Sequence, residues 1–129
     1  MSEPVWVRPD VLKLLHGESI AEHGGADGLR DEGLFESALA RPRNLFSYEG
    51  VEDPARLAAA YAFGLAKNHA FVDGNKRIAF IACALFLRLN GLRLVADQSE
   101  AVLTFLTLAA GDLDETALAD WIRQHAKAV

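Results

Sequence analysis

The sequence predicts an all-α domain of six helices around a buried central one, with one short extended segment near residues 92–95. Three observations carry this. Asn75 to Asn90 is apolar on almost every side: after Lys76 and Arg77 come Ile78, Phe80, Ile81, Cys83, Leu85, Phe86, Leu87 and Leu89, with Ala between them until Arg88. A helix without a polar face must be enclosed by other elements, and about sixteen residues at 1.5 Å rise span roughly 24 Å, too short to cross a bilayer. Five further segments carry helical periodicity or helix start and stop signals. Finally, 129 residues of which 51% are apolar make one domain with enough material for a single core.

Taken in order, Pro9 suits the first turn of a helix, and Val11, Leu12, Leu14, Leu15 and Ile20 give it an apolar stripe ending near His23, before Gly24-Gly25. The turn-rich GGADGLRDEG follows. Asp31 caps a second, short helix carrying Leu34, Phe35, Ala38 and Leu39, which Pro42 is expected to stop. Residues 43–53 have no clear period and read as a loop, whose Leu45, Phe46 and Tyr48 either lid the core or bind a partner. Asp53-Pro54 starts a third helix, rich in small residues that permit close packing and ending near Asn68. Asn90-Gly91 stops the central helix, and Leu92, Leu94 and Val95 read as extended. Ser99 to Ala110 and Asp114 to His125 are the last two helices, separated by Gly111-Asp112. There is no repeat or interdomain linker, so residues 1–129 read as one domain.

Thirteen basic against eighteen acidic residues leave a net charge of −5, which argues against non-specific binding to nucleic acid. The lone Cys83 lies in the apolar helix and reads as a buried, inert thiol. The start, MSEPVWVRPD, lacks a basic region followed by an apolar run. Together with the absence of a membrane span, this gives the expectation of a cytoplasmic protein.

Chemistry concentrates in the loop entering the central helix, His69-Ala70-Phe71-Val72-Asp73-Gly74-Asn75-Lys76-Arg77. Helix N-termini present unpaired N–H groups and attract phosphate, and Gly74 lets a ligand approach the backbone closely. Lys76 and Arg77 oppose the helix dipole in the first turn, so an anion is expected there. Arg77 can grip phosphate bidentately, Lys76 adds a mobile charge, and the Asn75 side chain can donate to a further oxygen. Asp73 beside these donors suits Mg²⁺, which takes one or two carboxylates plus substrate phosphates. His69 is the nearby group able to take a proton near neutral pH. Phe71, between them, would point the opposite way and anchor the loop, leaving His69 and Asp73 on one side of an extended segment. Each piece has a bland reading too: a solvated His, an Asp-Gly turn, a surface basic pair. His69 and Asp73 could also be two ligands of a transition metal, although His16, His23 and His125 offer no further ligand at a telling spacing. No GxxxxGK[ST] occurs, so the site is not a P-loop.

This loop resembles the Fic/Doc (Fido) signature H-x-F-x-D-G-N-x-R, matching every fixed position. GLRDEGLFESALARP, LFLRLNG and the closing Leu118-Ala119-Asp120-Trp121 resemble the death-on-curing branch, the Doc toxins. The resemblance implies a six-helix Fido fold and transfer of part of a nucleoside triphosphate to a protein hydroxyl. By position it implies His69 as general base, Asp73 as Mg²⁺ ligand, Gly74, Asn75, Lys76 and Arg77 as the anion nest, and Phe71 as loop anchor. Most adenylylating Fic proteins have Gly where this chain has Lys76; Doc toxins are similar to this chain there and transfer the γ-phosphate of ATP. The resemblance therefore implies a kinase acting on Ser or Thr, with a threonine of elongation factor Tu as the Doc precedent and inhibition of translation as the outcome. Doc itself has Ala at the position of Gly74, which keeps adenylyl transfer as the alternative. An inactive Fic-fold binding module is a third reading. The chain carries no inhibitory [S/T]-x-x-x-E-[G/N] pattern, which implies control from outside, by a Phd-type antitoxin segment lying in a groove for which the first helix and residues 45–48 are candidates.

Overall fold

The computed structural model describes residues 3–129, so the first two residues of the start discussed above lie outside the described residues. It contains α1 (Pro9–His23), α2 (Glu32–Glu49), α3 (Pro54–Asn68), α4 (Asn75–Leu89), β1 (Leu92–Leu94), α5 (Gln98–Ala109), α6 (Glu115–His125) and β2 (Ala126–Ala128). Three helices begin on aspartate caps: Asp31, Asp53 and Asp114 accept from the N–H of Leu34, Ala55 and Ala117. Pro9 and Pro54 occupy first-turn positions, where a missing N–H costs nothing. The fold is all-α apart from a two-stranded antiparallel ribbon pairing Leu92 with Ala128 and Leu94 with Ala126. The extended segment near 92–95 is thus β1, and its partner at the far end of the chain had no alternating pattern of its own.

The chain departs from the sequence reading at α2, which does not stop at Pro42 but continues to Glu49. Phe35, Ala38, Leu39, Pro42 and Leu45 lie inward at helical spacing, so burial of one continuous stripe outweighs the hydrogen bond that proline removes. Gly50, left-handed at φ 67, ends the helix instead. The expected loop at 43–53 is therefore mostly helix. Leu45 is buried and Phe46 packs edge-on against Trp6 at 5.8 Å, leaving Tyr48 as the exposed member of the trio.

The most enclosed helix is α3, buried almost continuously from Ala55 to Ala66 by α2, α4 and α6. Helix α4 buries Ile78, Ala79, Ala82, Cys83, Phe86 and Leu87, with its other side half-covered. The centre is therefore a helix pair rather than one rod. Gly64 makes the closest approach: a Cβ there would lie 3.2 Å from Cα of Ala38. Helix α1 crosses the start of α4 with Leu12, His16, Ser19 and Ile20 turned in, while Leu14, expected on the inner stripe, is exposed. Burial pushes the Cys83 thiol up to about 12. Among the described residues no helix is long and apolar enough to cross a membrane.

Candidate active site

The loop between α3 and α4 is held from three directions. From one side comes the segment 28–31: the N–H groups of Arg30 and Asp31 both donate to the Ala70 carbonyl (2.7 and 3.0 Å), and that of Val72 to Gly28 (3.0 Å). From beneath, Phe71 is buried, stacked on His16 with ring centroids 3.8 Å apart and edge-on to Phe35 at 5.4 Å. From within, the Asn75 side chain closes a ring on Phe71, accepting from its N–H at 3.0 Å and donating to its carbonyl at 2.9 Å.

His69 terminates α3 in the left-handed conformation, φ 50 and ψ 49, the single non-glycine residue with positive φ among the described residues. Arg30 holds it there, donating from Nε to the His69 carbonyl at 2.8 Å and from Nη2 to that of Asn68 at 3.3 Å. The imidazole is exposed. His69 and Asp73 share a cleft, but not through strand-like alternation, because the backbone turns at His69.

Asp73 is also exposed. Its Oδ1 accepts from the Gly74 N–H at 2.8 Å, its Oδ2 from Ala26 at 3.3 Å, and its backbone carbonyl faces His16 Nε2 at 2.7 Å. The Gly74 and Ala26 N–H groups, then the nearby Arg77 and His16, hold its carboxyl below the usual value. Gly25 makes this approach possible, since a Cβ on it would come within 2.7 Å of Asp73 Oδ2.

Gly74 begins α4 at φ 74 and offers no side-chain cap, so the first N–H groups of α4 keep their capacity for an anion. Lys76 is exposed at the rim. Arg77 is half-buried: Nη1 donates to the carbonyl and hydroxyl of Ser19 (3.2 and 3.3 Å) and Nη2 to the Gly24 carbonyl at 3.4 Å. These contacts use part of a five-donor group and fix its plane. His69, Asp73, Gly74, Asn75, Lys76 and Arg77 thus line one cleft of about 300 Å³. A second cleft of about 370 Å³ adjoins it, sharing Lys76 and Arg77 and walled by Phe80, Val102 and Phe105.

The Fic/DOC family model matches residues 6–87, which take in α1, α2, α3, the loop and most of α4. Protein kinase doc of Escherichia phage P1 is 33% identical over 118 residues, spanning 92% of this chain and 93% of its own length. Toxin Doc of Mycolicibacterium smegmatis is 42% identical over 117 residues, 85% of each chain. The chain belongs to the Fic/Doc family. Its Fic/Doc motif is the loop just described, and the matched region includes the α1 face behind it.

Asp73 can accommodate Mg²⁺: two backbone N–H groups occupy part of its acceptor capacity, and it lines one cleft with Lys76 and Arg77. Among the described residues no group of three or more His, Cys, Asp and Glu could hold a metal ion, so His69 and Asp73 lack the further ligands of a zinc-type site. The Asn75 amide, read from sequence as a phosphate donor, is engaged with Phe71, and what it presents to an anion is its main-chain N–H at the helix start. Sequence reasoning passed over His16, Ser19, Gly25 and Arg30. His16 and Ser19 had a signal, falling with Leu12 and Ile20 at i, i+4, i+7 and i+8 on one helical face, but only apolar residues were counted. Arg30 had none, because its partners are backbone carbonyls far along the chain.

Proposed function

We propose that this protein is a Doc-type toxin that transfers the γ-phosphate of ATP to a Ser or Thr hydroxyl of a protein target, with elongation factor Tu as the target and arrest of translation as the result. The observation that carries the reading is Lys76: it stands exposed in the cleft beside Arg77, in the first turn of α4, at the position where most adenylylating Fic proteins have Gly. The name of the phage P1 relative, a protein kinase, supports the same choice.

The triphosphate lies against the N–H groups that open α4, gripped by Arg77 and Lys76. Asp73 is the residue that would hold Mg²⁺, which when bound would supply positive charge against the phosphates. The target hydroxyl enters beside His69, whose imidazole takes its proton as the new O–P bond forms. The bond between the γ-phosphorus and the bridging oxygen breaks, and ADP leaves. Preorganised donors at the phosphate and a base at the hydroxyl are what such a transfer asks of the protein. The adjoining apolar cleft offers a wall to the less polar part of nucleotide or target. By its likeness to Toxin Doc, the protein is paired with a Phd-type antitoxin.

Gly74 favours a second reading, adenylyl transfer, because Doc has Ala there. Incubation with ATP labelled at the α- or γ-phosphate and a lysate separates the two. Protein label from γ alone is expected; label from α overturns the kinase reading in favour of AMP transfer, and label from neither overturns both.

A further inference from the structure

We propose that His16, on α1, is a positioning residue that sets the Asp73 carboxylate for the metal-bound nucleotide. The inference rests on the cleft binding Mg²⁺ and ATP, but not on which phosphate is transferred. His16 is 2% exposed, so its polar ring is kept in the interior at a desolvation cost that a hydrogen bond must offset. Its Nε2 lies 2.7 Å from the Asp73 backbone oxygen. A carbonyl only accepts, so Nε2 carries the hydrogen and donates.

The bond falls on the one peptide joining the Asp73 carboxylate to the start of α4. That peptide sits where Gly74 turns left-handed, at φ 74, and glycine resists rotation there less than any other residue. Local sterics therefore do not fix the Asp73–Gly74 peptide. His16 is the side chain outside the loop that holds this peptide's carbonyl, while its stack on Phe71 at 3.8 Å fixes the ring that makes the bond. The start of α4 has a separate anchor in the ring that Asn75 closes on Phe71. Loss of the His16 donor should then let this peptide shift, moving the carboxylate within the hold of the Gly74 and Ala26 N–H groups, while the helix start keeps its Asn75 anchor. Groups that orient a metal ligand typically matter 10- to 100-fold in metal affinity.

The test measures binding of the non-hydrolysable β,γ-imido analogue of ATP by calorimetry, with Mg²⁺ and with EDTA, after thermal melts establish folding. For His16→Phe, which keeps a ring on Phe71 and removes the donor, affinity with EDTA should stay within about twofold of wild type. The increase that Mg²⁺ brings should fall about tenfold. His16→Gln, which restores an N–H donor, should recover most of it. If the larger ring prevents folding, His16→Leu removes the donor at smaller volume and is read the same way. A folded donor-less variant with the full Mg²⁺-dependent increase overturns the inference, as do equal losses with and without Mg²⁺, a Gln variant no better than Phe, or a wild type whose affinity Mg²⁺ does not raise. Each of these is independent of whether label moves from the α- or the γ-phosphate, so this inference and the kinase reading fail separately.

Discussion

His69 occupies a backbone conformation that its function does not itself require. At φ 50 a residue with a Cβ is strained by about 1 kcal/mol relative to glycine, and the Arg30 guanidinium across the last α3 carbonyls compensates. His69→Gly relieves that strain but adds flexibility to the unfolded chain, a cost of about 0.5–1 kcal/mol. The two nearly cancel, so urea denaturation should place this variant within about 1 kcal/mol of wild type while transfer falls at least about 100-fold with the lost base. His69→Val puts a β-branched residue at positive φ and should lose about 2 kcal/mol. Equal stabilities for the two variants would mean that the turn is not left-handed. Asp73 gives a prediction with a sign. Its folded-state pKa lies below the ordinary 3.8, so its charge contributes stability that is present above that value and lost as pH falls through the lowered one. Wild type should therefore exceed Asp73→Asn in stability by a constant margin from pH 7 to 5, and the margin should shrink as pH falls below 3.8. A margin that persists in acid would show that the ionised carboxylate is not its source.

At the scale of elements, the seam between α2 and α3 turns a propensity rule around. Gly→Ala inside a helix ordinarily stabilises by about 1 kcal/mol. At Gly64, however, the added Cβ meets Cα, Cβ and the carbonyl oxygen of Ala38 at 3.2–3.3 Å, mostly main-chain atoms that move only if the whole helix moves. Gly64→Ala should thus destabilise by about 1–3 kcal/mol in chemical denaturation; a stabilised variant would mean that the seam has slack. The same seam explains which elements were legible in the sequence. Caps and breakers that act locally, Asp31 and Asp53 at the starts and Gly91 beyond the end of α4, sit where local rules put them. Pro42 and Leu14 mislead because tertiary packing chose the buried face. The motif loop is legible because its residues are neighbours in sequence, whereas its supports, His16, Ser19, Gly25 and Arg30, are contributed from 38 or more residues away.

Across the whole molecule, α4 separates two jobs. Its start carries the candidate site, and its end, fifteen residues and roughly 22 Å away, closes the fold. There Asn90 accepts from the Val5 N–H at 2.8 Å and donates to the carbonyls of Val5 and Phe86 at 2.9 and 2.8 Å. Val129 donates to the Gly91 carbonyl at 3.0 Å as β2 pairs with β1. Val5 and Val129 are thus fastened to one turn, the first by the Asn90 side chain. Removing three hydrogen bonds, two exposed and one part-buried, costs about 2 kcal/mol in total, so Asn90→Ala should lower global stability by that amount. Cys83 supplies the gauge: fully buried and with its thiol pushed up to about 12, it reacts with a thiol reagent only in molecules that have opened. A loss of about 2 kcal/mol raises the open population, and hence the labelling rate, roughly thirtyfold. The KM for ATP should meanwhile stay within about twofold of wild type, because the anion nest is anchored by Asn75 and α1 rather than by the far end of the helix. A variant with unchanged Cys83 labelling but weakened ATP binding would mean that the two ends of α4 are coupled, contrary to this division of the helix.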